Sequence, residues 1–193
     1  MADQNGNNTS IPLDSKIIDS LEEIEFIEKE LKKNEPKFKN KNLRLKLFYR
    51  MTRDGKDEKN FFDKCEGIVN NLIVIKTKLG YKFGGISFGP WHVRKWTRDA
   101  KSFCFSLDLK KIYNAVENKE THYLVGLPYF YGNYAGDSQM IQLFYSKKND
   151  IVNGLCGTKN IGSFIGQEKD YEINGGYSGF EVLEWEAFQM IFI

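Results

Sequence analysis

The sequence predicts a mainly β (α+β) fold: a two-sheet antiparallel β-sandwich flanked by short helices, with an amphipathic helix at its N-terminal end. Three observations predict this fold. Short runs of β-branched and aromatic residues follow one another, glycine-containing turns separate them in a chain with 17 glycines, and helical periodicity is confined to two segments. Many short strands with a few peripheral helices are typical of antiparallel sandwiches.

The composition is that of a folded domain without a dominant charge. The 193 residues include 15 Phe, 10 Tyr and 3 Trp, and the formal net charge is +2. So small a charge argues against a broad nucleic-acid or membrane surface. The sequence has no apolar run of about 18 residues, the length that crosses a bilayer, and residues 1–10 lack the pattern of a signal peptide. We therefore expect a cytoplasmic protein without a transmembrane segment, which does not bind nucleic acid.

The first 36 residues divide into a polar tail and a helix. Residues 1–12 are rich in Asn, Ser and Thr without periodicity, and a disordered tail is predicted there. Residues 13–36 carry apolar side chains at helical spacing, with Asp14 or Ser15 as the cap and Pro36 after the end. The apolar positions are Ile17, Leu21, Ile24, Ile27 and Leu31. We expect this helix to dock on the sandwich domain of residues 37–193.

Strand patterns fill most of that domain. Leucines alternate with basic residues from Leu43 to Leu47, and a short glycine-containing connection joins the apolar runs at 71–77 and 81–88. A short helix is predicted over residues 57–65, starting at Asp57 and stopping at Gly67. Further strands are predicted at residues 102–107, 123–126, 140–145, 151–157 and 180–193.

Opposite charges accumulate at the two ends of the domain. Residues 37–53 contain seven basic residues and no acid, whereas residues 168–193 contain six acids and one base. Opposite charges on facing positions favour strand pairing, so we expect the first and last strands to be neighbours in the sheet. A basic face for nucleic acid is the alternative, but it lacks the interleaved aromatic residues that stack on bases.

The motifs of common enzyme and metal sites are weak in this sequence. Ser87 lies in a G-x-S-x-G match, but no helix pattern follows it, so a serine hydrolase is a minor alternative. His92 and His122 lack a second histidine at ligand spacing, and no glycine motif for nucleotide phosphates occurs. We expect no metal and no cofactor.

The three cysteines are expected to be reduced. Cys65, Cys104 and Cys156 are widely spaced and form no C-x-x-C motif. A reactive thiol needs solvent access and a lowered pKa. Cys156, next to Gly157 and close to Lys159, is predicted to lie at a loop edge, and Cys65 at the C-terminal end of its helix. We expect a small buried or inert thiol at each of the three positions, and Cys156 and Cys65 are the candidate redox residues of the alternative.

Five segments follow one another in a familiar order between residues 43 and 192: LFYRMTRDG, FFDKC, LIVIKTKLGYKFGGISFGPW, KSFCFSLDLKKIYN and FEVLEWEAFQM. Together they resemble the TLDc domain family. We expect the matching residues to shape turns and packing, and Glu184 to pair with Arg50 or Arg53 if the terminal strands meet. The residues that match the family pattern are Arg50, Arg53, Asp54, Gly55, Phe83, Gly84, Gly85, Pro90, Trp91, Glu184 and Trp185.

The resemblance implies a two-sheet sandwich, a role in resistance to oxidative stress and, as in several family members, binding to the vacuolar proton-pumping ATPase. It implies no established catalytic mechanism. We therefore favour a non-catalytic protein-interaction domain over an enzyme. The alternative is a redox protein that uses Cys156 or Cys65 as a peroxide-reactive thiol. The partner's identity and the oligomeric state stay open at this point.

Overall fold

A computed structural model describes residues 13–92, 96–99, 101–115, 122–124, 129–131, 139–146, 149–156 and 164–193. Within these ranges the fold is mainly β. Its α-helices are Leu21–Asn34 (α1), Met51–Asp54 (α2) and Glu58–Cys65 (α3), and short 3₁₀ helices lie at Pro36–Phe38 and Glu172–Asn174. The strands are Leu43–Arg50 (β1), Asn71–Thr77 (β2), Lys82–Ser87 (β3), Trp96–Arg98 (β4), Phe103–Ser106 (β5), Lys111–Ala115 (β6), His122–Leu124 (β7), Tyr129–Tyr131 (β8), Gln139–Ser146 (β9), Ile151–Cys156 (β10), Phe164–Ile165 (β11) and Gly179–Phe192 (β12).

The strands form a curled antiparallel sheet around the long strand β12. The order of the described strands is β11-β6-β5-β3-β2-β12-β10-β9-β8-β7-β4, and β1 also pairs with β12. One edge of β12 pairs with β2, while its opposite edge pairs first with β10 and then with β1. Strand β12 is therefore the element that connects the two wings of the sheet. The predicted division into two separate sheets stays a prediction.

The middle of the sheet is buried on both faces. Leu72 and Val74 of β2 pack in a helix-side core, whereas Ile73 and Ile75 pack in a central core on the opposite face. The helix-side core includes Ile17, Ile27, Leu31, Phe103, Phe105, Phe188 and Met190, and the central core includes Tyr49, Phe61, Phe83, Trp91, Leu143, Val152 and Trp185. Burial on both faces explains why β2 reads as a continuous apolar run without alternation.

Strand β1 lies beside β12, so the predicted neighbourhood of the first and last strands is confirmed. The pairing runs from Leu43 opposite Phe192 to Arg50 opposite Glu186, with a bulge between Leu47 and Tyr49. Leu43, Leu45 and Leu47 pack against the helix-side core, and Tyr49 lies in the central core. The extra residue of the bulge changes the face to which the following side chain points, because side chains alternate along a strand.

Helix α1 starts later than the sequence predicts. It covers Leu21–Asn34 within the predicted span of 13–36, and the Glu23 N–H donates to Ser20 Oγ at 3.3 Å, so Ser20 is the cap. The prediction that Asp14 or Ser15 caps the helix is wrong. Ser15 Oγ instead accepts the N–H groups of Ile17 and Ile18 at 3.1 and 2.9 Å, which holds this segment in a tight turn. Ile17 is buried all the same, with 0% exposure.

The other predictions vary in accuracy. The predicted strand at 71–77 coincides with β2, and the predicted helix at 57–65 corresponds to α3, where Asn60 Oδ1 accepts the Asp57 N–H. The short strands β4, β6, β8 and β11 are not predicted by the sequence patterns. The predicted tail at 1–12 and part of the predicted strand at 123–126 lie outside the described residues.

No helix in the described ranges combines the length and apolarity needed to span a membrane.

Candidate functional site

The charged residues of the family pattern meet at the C-terminal end of β1. Arg50 ends β1, Arg53 and Asp54 belong to the single turn of α2, and Glu184 lies on β12. The antiparallel register places Arg50 opposite Glu186, a residue that the sequence analysis did not single out. The Arg50 Nε–Glu186 Oε1 distance is 2.6 Å, and Glu186 has 0% exposure. A buried guanidinium–carboxylate pair is therefore the centre of this region.

The predicted pairing of Glu184 with Arg50 or Arg53 is wrong. Glu184 accepts the backbone N–H of Thr52 at 3.1 Å and also accepts the Thr52 hydroxyl. Arg53 pairs with Asp54, with an Nη2–Oδ2 distance of 2.7 Å. The bulge after Leu47 in β1 places Arg50 opposite Glu186 rather than Trp185, so one extra residue brings this cation to the carboxylate.

The segment before α1 completes the region. Ser15 Oγ donates to Glu186 Oε2 at 2.5 Å, and the Lys16 N–H donates to Glu186 Oε1 at 3.0 Å. Arg50 Nη2 also lies 2.8 Å from Asp14 Oδ1. We call this group the ionic cluster, and its members are Asp14, Ser15, Lys16, Arg50, Thr52, Glu184 and Glu186. A buried carboxylate with three donors is well satisfied, so the cluster ties the N-terminal segment to the sheet.

The surroundings shift the pKa of several of these groups. Burial alone lowers the pKa of Arg50, but the hydrogen bonds from its guanidinium to Asp14 and Glu186 outweigh that effect and raise it. The hydrogen bonds from Arg53 lower the pKa of Asp54, and the backbone N–H of Arg50 adds to this effect. Arg50 and Asp54 are therefore charged at neutral pH.

Most of the uncharged residues of the family pattern lie in or beside the central core, and Gly84 faces Phe105 of the helix-side core. A Cβ on Gly84 would lie 1.9 Å from the carbonyl oxygen of Ile73, so only glycine permits this approach of β3 to β2. Phe83 contacts Phe180 edge to face, and Gly85 pairs with Ile73 and Cys104 on the neighbouring strands.

Two tryptophans of the pattern close the same core. Trp185 packs against Tyr49 and Phe61, with ring centroids 4.3 and 4.6 Å away. Trp91, which follows Pro90, has 3% exposure and donates its Nε1–H to Ser87 Oγ at 3.1 Å. At the edge of the core, Gly55 adopts a φ of 105°, and its carbonyl accepts the Tyr49 hydroxyl at 2.5 Å. These contacts are those of packing and turn geometry.

Ser87 does not have the geometry of a nucleophile elbow. It ends β3 with 0% exposure, and its hydroxyl oxygen lies between Trp91 Nε1 and the Gly89 carbonyl. The described residues that follow, 88–92, form no helix, which an elbow requires to expose the serine.

The thiols are placed in the core. Cys65, Cys104 and Cys156 have 0%, 1% and 1% exposure. Burial raises the pKa of Cys156 to about 12, and burial also raises the pKa of Cys65, where the neighbouring Glu66 adds to the effect. The predicted loop-edge position of Cys156 is wrong, since it ends β10 and its Sγ–H donates to the Tyr177 carbonyl at 3.3 Å. These surroundings oppose formation of the thiolate, the reactive form of cysteine.

Acidic, histidine and cysteine side chains do not gather into a metal site in the described ranges, where no three of them are placed to hold an ion. His92 Nδ1 lies 3.0 Å from Glu66 Oε1, an exposed pair with one carboxylate. The side chain of His122 lies outside the described part of the structure.

Comparison with known proteins agrees with the resemblance drawn from the sequence. The family model described as the TLDc domain matches residues 13–189, a range that includes the ionic cluster, α1 and both cores. No curated protein matches the chain significantly. Since the family match covers nearly the whole chain, the protein belongs to the TLDc domain family.

Proposed function

We propose that this protein is a cytoplasmic, non-catalytic protein-interaction domain that acts in resistance to oxidative stress. The match of residues 13–189 to the TLDc domain family carries this proposal. The vacuolar proton-pumping ATPase is the proposed partner, because several members of the family bind it. Three cysteines without disulfides are typical of a reducing compartment, which supports the cytoplasmic assignment.

The contacts of the reactive residue types support a non-catalytic role. The carboxylates of Glu184 and Glu186 are engaged by groups of the same chain, and Ser87 lies under Trp91. The thiols of Cys65 and Cys156 are buried with raised pKa values. A general base, a nucleophile or a peroxide-reactive thiol needs access to its substrate, which these positions do not offer.

The architecture that we propose is one interacting unit of residues 13–193. Asp14, Ser15 and Lys16 bind Arg50 or Glu186, and Ile27 and Leu31 of α1 pack on the sheet. We further propose that the wings of the curled sheet are the two layers of a sandwich. The central core supports this, because it joins Ile73 of β2 to Leu143 of β9 and Val152 of β10.

The test of the pump proposal uses purified components. Vacuolar ATPase purified from the source cell is mixed with the protein, and binding is measured by co-sedimentation together with the rate of ATP hydrolysis. We expect stoichiometric binding with a changed hydrolysis rate. Absence of both effects would contradict the pump as partner, and an unrelated β-sandwich protein of similar size serves as the control.

The thiol alternative is tested in cells. Cells that lack the gene are complemented with the wild type or with a Cys65→Ala/Cys156→Ala variant, and survival after peroxide treatment is measured. We expect equal protection, since the proposed role needs no thiol. Loss of protection in a variant with unchanged thermal unfolding would favour the redox alternative, and Cys104→Ala is the matched control.

A further inference from the structure

Strand β1 has one free edge in the described part of the chain. Its pairing with β12 runs from Leu43 opposite Phe192 to Arg50 opposite Glu186, and no described strand pairs with its other edge. An edge strand presents a row of backbone N–H and C=O groups to which another extended chain can pair.

The direction of these groups follows from the first pair of the ladder. Asn42 and Ile193 exchange both backbone hydrogen bonds, at 2.8 and 3.1 Å. Because such pairs alternate in an antiparallel ladder, the backbone groups of Leu43, Leu45 and Leu47 point away from β12. The outward N–H of Leu43 donates to Glu28 Oε1 at 3.1 Å. A carboxylate thus already binds the first outward amide of this edge.

Exposed cations accompany the free edge. Arg44 and Lys46 alternate with the leucines of β1, and Lys39 and Lys41 precede them. All four are exposed, and none has an acidic partner within ion-pair distance among the described residues. Their positive charge is therefore available to a partner.

The charges decide between the possible occupants. A second copy of β1 would bring Arg44 and Lys46 close to like charges, which destabilises strand pairing. A nucleic acid would need aromatic side chains for stacking, but Phe38 and Tyr49 of this region are buried. An extended acidic segment fits both the backbone and the charges of this edge. Its backbone pairs with the outward groups of β1, and its alternate side chains face the cations.

We propose that the free edge of β1 binds an extended acidic segment of a partner protein as an added strand, with acidic side chains opposite Arg44 and Lys46. This inference rests on the proposed interaction role and names the chemistry of the partner segment. The added strand would take its hydrogen bonds from the outward backbone groups of Leu45 and Leu47.

The first experiment measures binding of a fluorescein-labelled ten-residue peptide of alternating Glu and Thr by fluorescence anisotropy. Lys46→Glu is expected to weaken binding at least about fivefold, and the Arg44→Glu/Lys46→Glu variant at least about tenfold. Lys169→Glu makes the same charge change as Lys46→Glu at another exposed position and is expected to change binding less than about twofold. Equal effects of Lys46→Glu and Lys169→Glu, equal binding of a peptide with Gln in place of Glu, or tighter binding of a ten-nucleotide oligothymidine would overturn the proposal.

The second experiment locates the peptide by amide hydrogen exchange of the wild-type protein. The amides of Leu45 and Leu47 are expected to exchange at least about tenfold more slowly with saturating peptide, since an added strand would give them partners. Peptide binding without protection of these amides would overturn the proposal. Neither experiment contains the proton pump, so a failure here is distinct from a failure of the proposed function.

Discussion

The two ends of β1 carry the same kind of side chain in opposite surroundings. At the C-terminal end, Arg50 lies 2.6 Å from the buried carboxylate of Glu186. At the N-terminal half, Arg44 and Lys46 are exposed and face Ile191 and Gln189 across the ladder. This difference in burial and pairing arises because β12 and the N-terminal segment place carboxylates beside Arg50, whereas β12 places uncharged residues opposite Arg44 and Lys46. One strand can therefore use arginine both to hold the fold and to present charge to solvent.

The largest effect is expected for Arg50→Ala. The substitution leaves the buried carboxylate of Glu186 without its cation, so the free energy of unfolding should fall by about 3–5 kcal/mol in urea denaturation. The control is Arg50→Met/Glu186→Leu, which replaces both charges by apolar side chains and should recover much of the loss. A loss below about 1 kcal/mol for Arg50→Ala would show that the two ends of β1 do not differ as described.

A smaller effect is expected for Ser15→Ala. The Ser15 hydroxyl donates to Glu186 and accepts the N–H groups of Ile17 and Ile18. Its removal should cost about 1–2 kcal/mol, because a hydrogen bond to a charged group and two bonds to backbone amides are lost. The exposed Ser178 is the matched control, and Ser178→Ala should change stability by less than about 0.5 kcal/mol. Equal values for the two variants would show that the contacts of Ser15 do not stabilise the fold.

The Arg53–Asp54 pair predicts a dependence on pH at the C-terminal end of β1. The folded state lowers the pKa of Asp54, so this carboxylate stabilises the fold above its unfolded value of about 3.9, and the contribution is lost as pH falls through the lower folded value. The stability difference between wild type and Asp54→Asn should therefore shrink below about pH 4. Thermal unfolding between pH 7 and pH 2 measures it.

Asp63→Asn provides the control for that titration. Asp63 is an exposed residue of α3 whose carboxylate pairs with Lys59. We expect its substitution to change the pH profile much less than Asp54→Asn does. Parallel profiles for the wild type and Asp54→Asn would contradict the stabilising role of the charged Asp54.

The smallest effect is expected for Lys46→Ala. Since Lys46 is exposed and has no acidic partner in the described part of the chain, its removal should change the free energy of unfolding by less than about 0.5 kcal/mol. Urea denaturation beside Arg50→Ala makes the comparison within one strand. A loss of more than about 1 kcal/mol would mean that this cation holds the fold and is not available to a partner.

Much of the fold is readable from local patterns. The apolar run of β2, the capped helix α3 and the opposite charges of residues 37–53 and 168–193 all correspond to observed elements. The short strands β4, β6, β8 and β11 were missed because pieces of two to five residues carry little periodicity of their own.

The details of the site depended on contacts between distant segments. The pairing of Arg50 with Glu186 follows from the register of β1 on β12 and from the bulge after Leu47, which a sequence pattern does not reveal. The sequence does contain a signal for Glu186: it lies two residues after Glu184, so the two carboxylates share one face of a strand and both are candidate partners of Arg50. The start of α1 at Leu21 was also misjudged, because Ser15 and Lys16 bind Glu186.

By itself, the sequence determined that this is a mainly β member of the TLDc domain family whose basic first strand lies beside its acidic last strand. The family depends on the order of the sequence motifs, and the strand content and strand neighbourhood depend on side-chain periodicity and on the signs of charges, all of which are properties of the chain. The tertiary structure alone decided which carboxylate meets Arg50, where α1 begins and that Cys156 lies in the core rather than at a loop edge. Those outcomes depend on register and on packing between segments far apart in sequence, and a shift of one residue in a strand reverses which face each side chain occupies.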